Sequence, residues 1–357
     1  KYIKSLKQMH KIKSRINIEG KWNKMGKVKY LAKRIMKLDY KNMFKIAKKV
    51  GKKINKNYIL VLMDMVRCGL KYQAGYYDYQ EFEFYNLNNE ERKTYLTRGK
   101  NNEIIKKFND KSSFHKFENK VEFNKIFNKY LKRNWMMLTP DNYNDFETFF
   151  KSNNAIIVKP IDDEGGHGVE KYVYSPDVNC KEIYNKLIAN DQLLIEECIK
   201  QHPDMNVLYD KSVNTMRMFT FYKDGKSYFL QAVLKIGNGG VVDNFSSGGM
   251  YTYVSNEGNV YVEAIDRNDN IYTEHPISKK KIVGFKVPMF KEAVELVKEC
   301  AKVIPEVAYV GWDVAISENG PVIVEGNCFP GVYQVKPSLI TRKEGLIPKY
   351  NEIMKIF

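Results

Sequence analysis

One stretch limits what this chain can fold into more than any other: residues 309–331, YVGWDVAISENGPVIVEGNCFPG. Its pattern predicts two short strands, 310–317 and 321–327, joined by the polar turn Glu318-Asn319-Gly320. Side chains alternate along a strand, so Trp312, Val314 and Ile316 share one face and Asp313 and Ala315 the other. With all three turn residues unpaired, Ser317 faces Pro321 and Asp313 falls directly opposite Glu325. Asn327 then follows two residues on, on the same face. Opposed carboxylates repel, and a fold keeps them where something positive sits between. Two carboxylates and an amide oxygen are hard ligands, the set suited to Mg2+ or Mn2+ shared with phosphate. A solvated hairpin with scattered acids is the competing reading, and a one-residue slip of register would separate the pair.

Charge is distributed unevenly. Residues 1–57 hold 20 lysines and arginines against two acids, Glu19 and Asp39, while the rest holds 39 basic and 40 acidic residues. The net charge of +17 thus belongs to an N-terminal arm, and the body is neutral. Within the arm, Val28, Leu31, Ile35, Leu38, Met43, Ile46 and Val50 step mostly by three and four, a helical period with lysines on the other face. Such a helix can lie on an anionic membrane or dock on the body with its lysines solvated. Aromatic interleaving is thin, which places nucleic acid below both. No apolar run reaches transmembrane length, and the first residues lack a signal-peptide pattern. Five cysteines without metal spacing read as reduced cytosolic thiols, and five scattered histidines do not suggest zinc. The expected location is cytoplasmic, with peripheral contact at the inner face of the membrane through the arm.

The remaining segments follow in order. Residues 58–72 read as a buried helix, Asn88 with Glu90 and Glu91 as a helix start, and 118–133 as an amphipathic helix with Lys120 near its beginning. AIIVKP (155–160), DDEGGHG (162–168) and VEKYVY (169–174) form strand, glycine loop, strand. Gly165, Gly166 and Gly168 let backbone approach phosphate, Lys159 points an ammonium at the same place, and His167 reads as a loop donor. A strand ending in Glu196, Glu197, Cys198 and Ile199 follows. In the strand 212–222, Arg217 sits among apolar residues and wants an anionic partner, either a ligand phosphate or a structural carboxylate. Two more strands flank DNFSSGG (243–249), where Asn244, Ser246, Gly248 and Gly249 supply small side chains and free amides suited to an oxyanion or acceptor site. Residues 255–287 read as a variable excursion, followed by a helix near 288–304 and a terminal helix.

The D…ExN pattern of Asp313, Glu325 and Asn327 resembles the metal site of the ATP-grasp superfamily, and the flap, hinge and NTMRMFTF segments resemble it in the same order. DNFSSGG resembles a signature of its sugar-transfer-associated branch from bacterial polysaccharide loci. The resemblance runs from about residue 60 onward and implies an α+β fold, two α+β subdomains sandwiching ATP, preceded by a helical, basic N-terminal region. The implied divisions are 1–57 for the arm, 58–117 for a small leading domain, and 118–199 and 200–357 for the two subdomains. On that resemblance Lys120, Lys159 and the flap contact ATP phosphates, and Glu196 to Ile199 form the adenine hinge. Asp204, with Gln201 as rival, holds the ribose, and Arg217 meets a phosphate or acyl-phosphate. The implied chemistry is Mg2+-dependent carboxylate–amine ligation through an acylphosphate, with small-molecule or glycan-linked substrates. A kinase acting on a hydroxyl and a nucleotide-binding scaffold at the membrane stay open beside it. The Asp313–Glu325 pair is expected to be required for turnover and dispensable for folding.

Overall fold

The apolar alternation between residues 135 and 327 resolves into two antiparallel sheets. The structure, a computed structural model, describes residues 39–162, 168–240, 243, 245 and 248–357. The chain divides into two compact units, 1–80 and 81–357.

In the first unit, helix Tyr40–Lys53 starts at Asp39, whose carboxylate accepts the Asn42 N–H, and helix Tyr58–Tyr72 starts at Asn57, which caps Ile59. The two helices are in contact; Met43, Ile46, Ala47 and Val50 are buried on the first and Val61, Met65, Cys68 and Tyr72 on the second. The expected helix over 58–72 is present, yet only this stripe of it is buried; Ile59, Leu60, Met63, Val66 and Leu70 are exposed. The part of the basic pattern before residue 39 lies outside the described residues.

The second unit is α+β. Its smaller sheet contains β1 (Trp135–Met137), β2 (Ala155–Lys159), β3 (Glu170–Val173) and β4 (Leu194–Glu197) in the order β1-β4-β2-β3. Helices Tyr143–Asn153 and Cys180–Ala189 cover one face, and Phe146, Phe150, Ile156, Val158, Leu187 and Ile195 form its core. The larger sheet contains β5 (Thr215–Lys223), β6 (Lys226–Ile236), β7 (Met250–Val254), β8 (Ala264–Asp266), β9 (Ile271–Tyr272), β10 (Tyr309–Ser317) and β11 (Gly320–Asn327), ordered β11-β10-β5-β6-β7-β8-β9. The stretch 255–287, expected to be an excursion, therefore adds two short strands to one edge of this sheet. Helices Lys120–Leu131 and Phe290–Cys300 pack on its inner face around Trp312, whose ring meets Phe127 edge-on at 5.4 Å. The Asn88 expectation holds as a reciprocal capping box with Glu91 at the start of helix Asn89–Thr94.

The β10–β11 hairpin reaches its register by an unexpected route. Gly320, at φ +109°, pairs with Ser317, so the turn contains two residues and not three. Pairing runs Ile316 to Pro321, Ala315 to Val322 and Val314 to Ile323, one residue away from the expected frame. A β-bulge then accommodates Val324 and brings Asp313 opposite Glu325. Ile323 points into the core, and strict alternation would have sent Glu325 after it; the bulge re-aims Glu325 to the Asp313 face.

Gly326, paired with Trp312, has no spare room: a Cβ there would lie 2.9 Å from both Phe117 Cδ1 and Phe123 Cε2, rings packed against Trp312 and Phe127. Gly326→Ala should therefore lower stability by about 1–3 kcal/mol through overpacking. A lower denaturant midpoint is the expected readout; an unchanged midpoint would show that the two rings yield freely.

Candidate active site

Charge runs in a row across four adjacent strands of the larger sheet. Glu325 on β11 pairs with Asp313 on β10, Asp313 pairs with Arg217 on β5, and Lys235 follows on β6. Arg217 meets Asp313 as a fork, Nε to Oδ1 at 2.6 Å and Nη2 to Oδ2 at 2.9 Å, and Lys235 Nζ lies 3.0 Å from Oδ2. All three side chains are buried. Burial alone would raise the Asp313 carboxyl, yet the Arg217 and Lys235 charges hold it well below the usual carboxylate range. Gly311 makes this possible locally, since a Cβ there would come 3.1 Å from Arg217 Cδ. Glu325 shifts the other way: burial in the cleft and then the Asp313 carboxylate push its carboxyl up. With 46% of that side chain open, solvent moderates the burial part, and the neighbouring carboxylate is the cause that persists.

The smaller sheet presents a matching arrangement. Glu196 on β4 is buried and accepts from Arg133 Nη2 at 3.0 Å, Asn124 Nδ2 at 2.8 Å and Lys159 Nζ at 2.6 Å. Burial would raise its carboxyl, and Arg133 and Lys159 more than reverse that. Arg133 reaches further: its Nη1 donates to Ile323 O at 2.6 Å and its Nη2 to Val324 O at 3.3 Å, the two carbonyls at the bulge.

Between the sheets lies a cleft of about 730 Å3, a volume suited to a nucleotide-sized ligand. Of the residues singled out from sequence, Lys120, Lys159, Glu196, Glu197, Ile199, Arg217, Asp313, Glu325 and Asn327 line it. Gly168, Cys198, Asp204, Gly248 and Gly249 stand outside this lining. Gly168 takes φ +66° with Pro160 against it, so a side chain there would be strained. Lys120 Nζ donates to Ile161 O at 3.3 Å. Glu197 accepts from Asn134 and spends its own N–H on Asn134 O, so it is tied into the sheet. Asp204 sits exposed in the short helix Pro203–Asn206, whereas Gln201 is buried and fully engaged with Asn206, Tyr209 and Asn214. Gly165, Gly166, His167, Asn244 and Ser246 lie outside the described residues.

Sequence reasoning missed Arg133, Asn124, Lys235 and the bracing of Thr215, whose N–H and hydroxyl both donate to Asp243. The signal for Lys235 was available: a lysine in an apolar strand wants an anion, the same argument that picked out Arg217. In a chain this rich in lysine it was easily overlooked.

Two α+β layers facing each other across a cleft lined with paired charges are the arrangement of an ATP-grasp protein. The particular family follows from sequence: the profile of the sugar-transfer associated ATP-grasp family matches residues 99–355, and the chain belongs to it. Similar solved structures include D-alanyl-alanine synthetase A from Vibrio cholerae O1 biovar eltor, at 15% identity, covering 66% of this chain and 60% of that one, with a TM-score of 0.38. D-alanine–D-alanine ligase from Bacillus anthracis complexed with ATP is 18% identical over 67% and 61%, TM-score 0.39. L-amino acid ligase from Bacillus licheniformis is 14% identical over 60% and 41%, TM-score 0.36. The chain thus spans 41–61% of the length of these three proteins. No curated protein matches it.

The two acids of the hairpin should contribute oppositely to stability, which refines the expectation that folding tolerates the loss of either. An acid held below its ordinary value contributes stability that is lost as pH falls through that value; one pushed up costs stability as pH rises through it. Asp313→Asn strands Arg217 and Lys235 and should cost about 3–5 kcal/mol at neutral pH. Glu325→Gln removes a repelled charge and should leave stability equal or higher. Urea unfolding of both variants at pH 7 tests this, and equal losses would contradict the asymmetry.

Proposed function

We propose that the protein is an ATP-dependent carboxylate–amine ligase working through an acylphosphate, serving bacterial surface polysaccharide modification or synthesis. The observation that carries this is the layout of the cleft. Lys159 on one sheet and Arg217 with Lys235 on the other border the side chains of Glu325 and Asn327. Family membership supports the use of ATP, and the family's sugar-transfer association supports the biological setting.

The donor set fits a divalent cation. Asn327 donates its amide N–H to Gly311 O and Glu325 Oε1, which leaves its carbonyl oxygen available as a ligand. Glu325 is half-open, and Asp313 Oδ1 takes one N–H from Arg217, with capacity for another partner. Among the described residues no cluster of three or more His, Cys, Asp or Glu side chains forms a fuller site, so two carboxylates and an amide would share the ion with phosphate and water. When bound, Mg2+ or Mn2+ would neutralise phosphate charge as the γ-phosphoryl moves.

The chain's own residues do the rest. Lys159, held in place by Glu196, binds the phosphates, and the hinge near Glu197 and Ile199 takes the base. Arg217 and Lys235, buried beneath the transferring group, stabilise charge in a low-dielectric setting without reorganising. A substrate carboxylate oxygen attacks the γ-phosphorus and the bond to ADP breaks. The amine then attacks the acyl carbon, the C–O bond to phosphate breaks, and amide, phosphate and a proton are released.

An ADP-release screen over carboxylates and amines, with product mass, tests the proposal. The expected product mass is the sum of acid and amine less one water. ADP accompanied by a phosphorylated hydroxyl and no amide would reassign the protein as a kinase. Division of labour gives a second test: Lys159→Ala should mainly raise KM for ATP, and Arg217→Ala should mainly lower kcat, by roughly 10²–10³. Matching effects on both parameters in both variants would remove that division.

A further inference from the structure

Helix Tyr58–Tyr72 carries two apolar stripes, each stepping by four, three and four. Val61, Met65, Cys68 and Tyr72 are buried, on a helix in contact with helix Tyr40–Lys53. Ile59, Met63, Val66 and Leu70 are 50–64% exposed, with Leu60 beside them at 59%. A contiguous apolar stripe of this kind marks an interaction surface.

Its surroundings identify the partner. From residue 40 to 72 there are nine lysines and arginines and a single acid, Asp64, which accepts from Tyr79 Oη at 2.9 Å. Lys41, Lys45 and Lys48 are exposed on the neighbouring helix together with Phe44, and Lys48 Nζ lies 5.6 Å from the Tyr58 ring at the end of the stripe. Apolar side chains bordered by many cations and few acids, with Asp39 exposed only at the start of the neighbouring helix, suit the boundary between anionic headgroups and acyl chains. A second copy of the chain would bring two such basic surfaces together and repel. A polyanion such as nucleic acid has no use for the aliphatic stripe. The helix has 15 residues, and among the described residues no helix is long and apolar enough to cross a membrane, so the fitting mode is to lie in the interface.

We infer that this helical pair docks the protein on an anionic lipid bilayer, with the Ile59–Leu70 stripe inserted and the lysines of the adjoining helix on the headgroups. This goes beyond the ligase reading and does not depend on it. The test is sedimentation of the full chain with vesicles of phosphatidylglycerol and phosphatidylcholine, or of phosphatidylcholine alone, at low and high salt. Wild type should bind the anionic vesicles, with a salt-resistant fraction. Met63→Gln/Leu70→Gln keeps every charge and should lower partitioning about tenfold or more while abolishing that fraction. Lys45→Glu/Lys48→Glu should lose the low-salt preference for anionic vesicles. All four positions are exposed, so helix content by circular dichroism and ATP turnover should match wild type. The inference is overturned if wild type ignores anionic vesicles at low salt, or if the Gln pair binds as wild type does. A wild-type dimer that the Gln pair turns into a monomer would also overturn it, assigning the face to a second copy.

Discussion

The Asp313 carboxylate pairs with two cations at once, and much of the larger sheet depends on that. Neither Arg217 nor Lys235 could be buried in a sheet interior unaccompanied. Their positions on three neighbouring strands mean that a single side chain fixes how β5, β6 and β10 present charge to the cleft. The fork from Arg217 sets direction as well as energy, since two parallel N–H bonds admit little rotation.

The opposite wall of the cleft repeats the device. Glu196 carries Arg133 and Lys159 as Asp313 carries Arg217 and Lys235, and both carboxyls lie well below their ordinary range for the same reason. The cleft therefore keeps four cations ready, two to each carboxylate, and the positive charge left over suits an anionic ligand. An anionic ligand would enter by exchanging partners with carboxylates already in place, which costs less than ordering free lysines from solvent.

Where the sequence could be read, it was read through periodicity and chemistry that act locally. The capping box at Asn88, the flap strands and the burial of Arg217 follow from neighbours within a few residues. The opposition of Asp313 and Glu325 was reached with a three-residue turn and no bulge, whereas the molecule uses a two-residue turn and one bulge. The two differences cancel, because each displaces the frame by one residue. Helix 58–72 was read as buried because it is apolar on more than one side, and a single sequence does not say which stripes find partners. Strands β8 and β9, three and two residues long, are too short to show alternation at all. Arg133 was missed because its partners lie 63 residues away at Glu196 and 190 away at Ile323.

That arginine has a mechanical consequence. One guanidinium holds Glu196 of the smaller sheet and, on β11, the carbonyls of Ile323 and Val324. Any swing of the smaller sheet toward or away from the larger one has to turn about this point or break it. Opening and closing of the cleft would then move β3, at the sheet edge beyond β2, more than Lys159, whose ammonium bonds Glu196 at the pivot, or the Glu325 backbone, one residue from it. The outer edge of the smaller sheet would be the jaw, and the side chains gathered at the pivot would be the anvil.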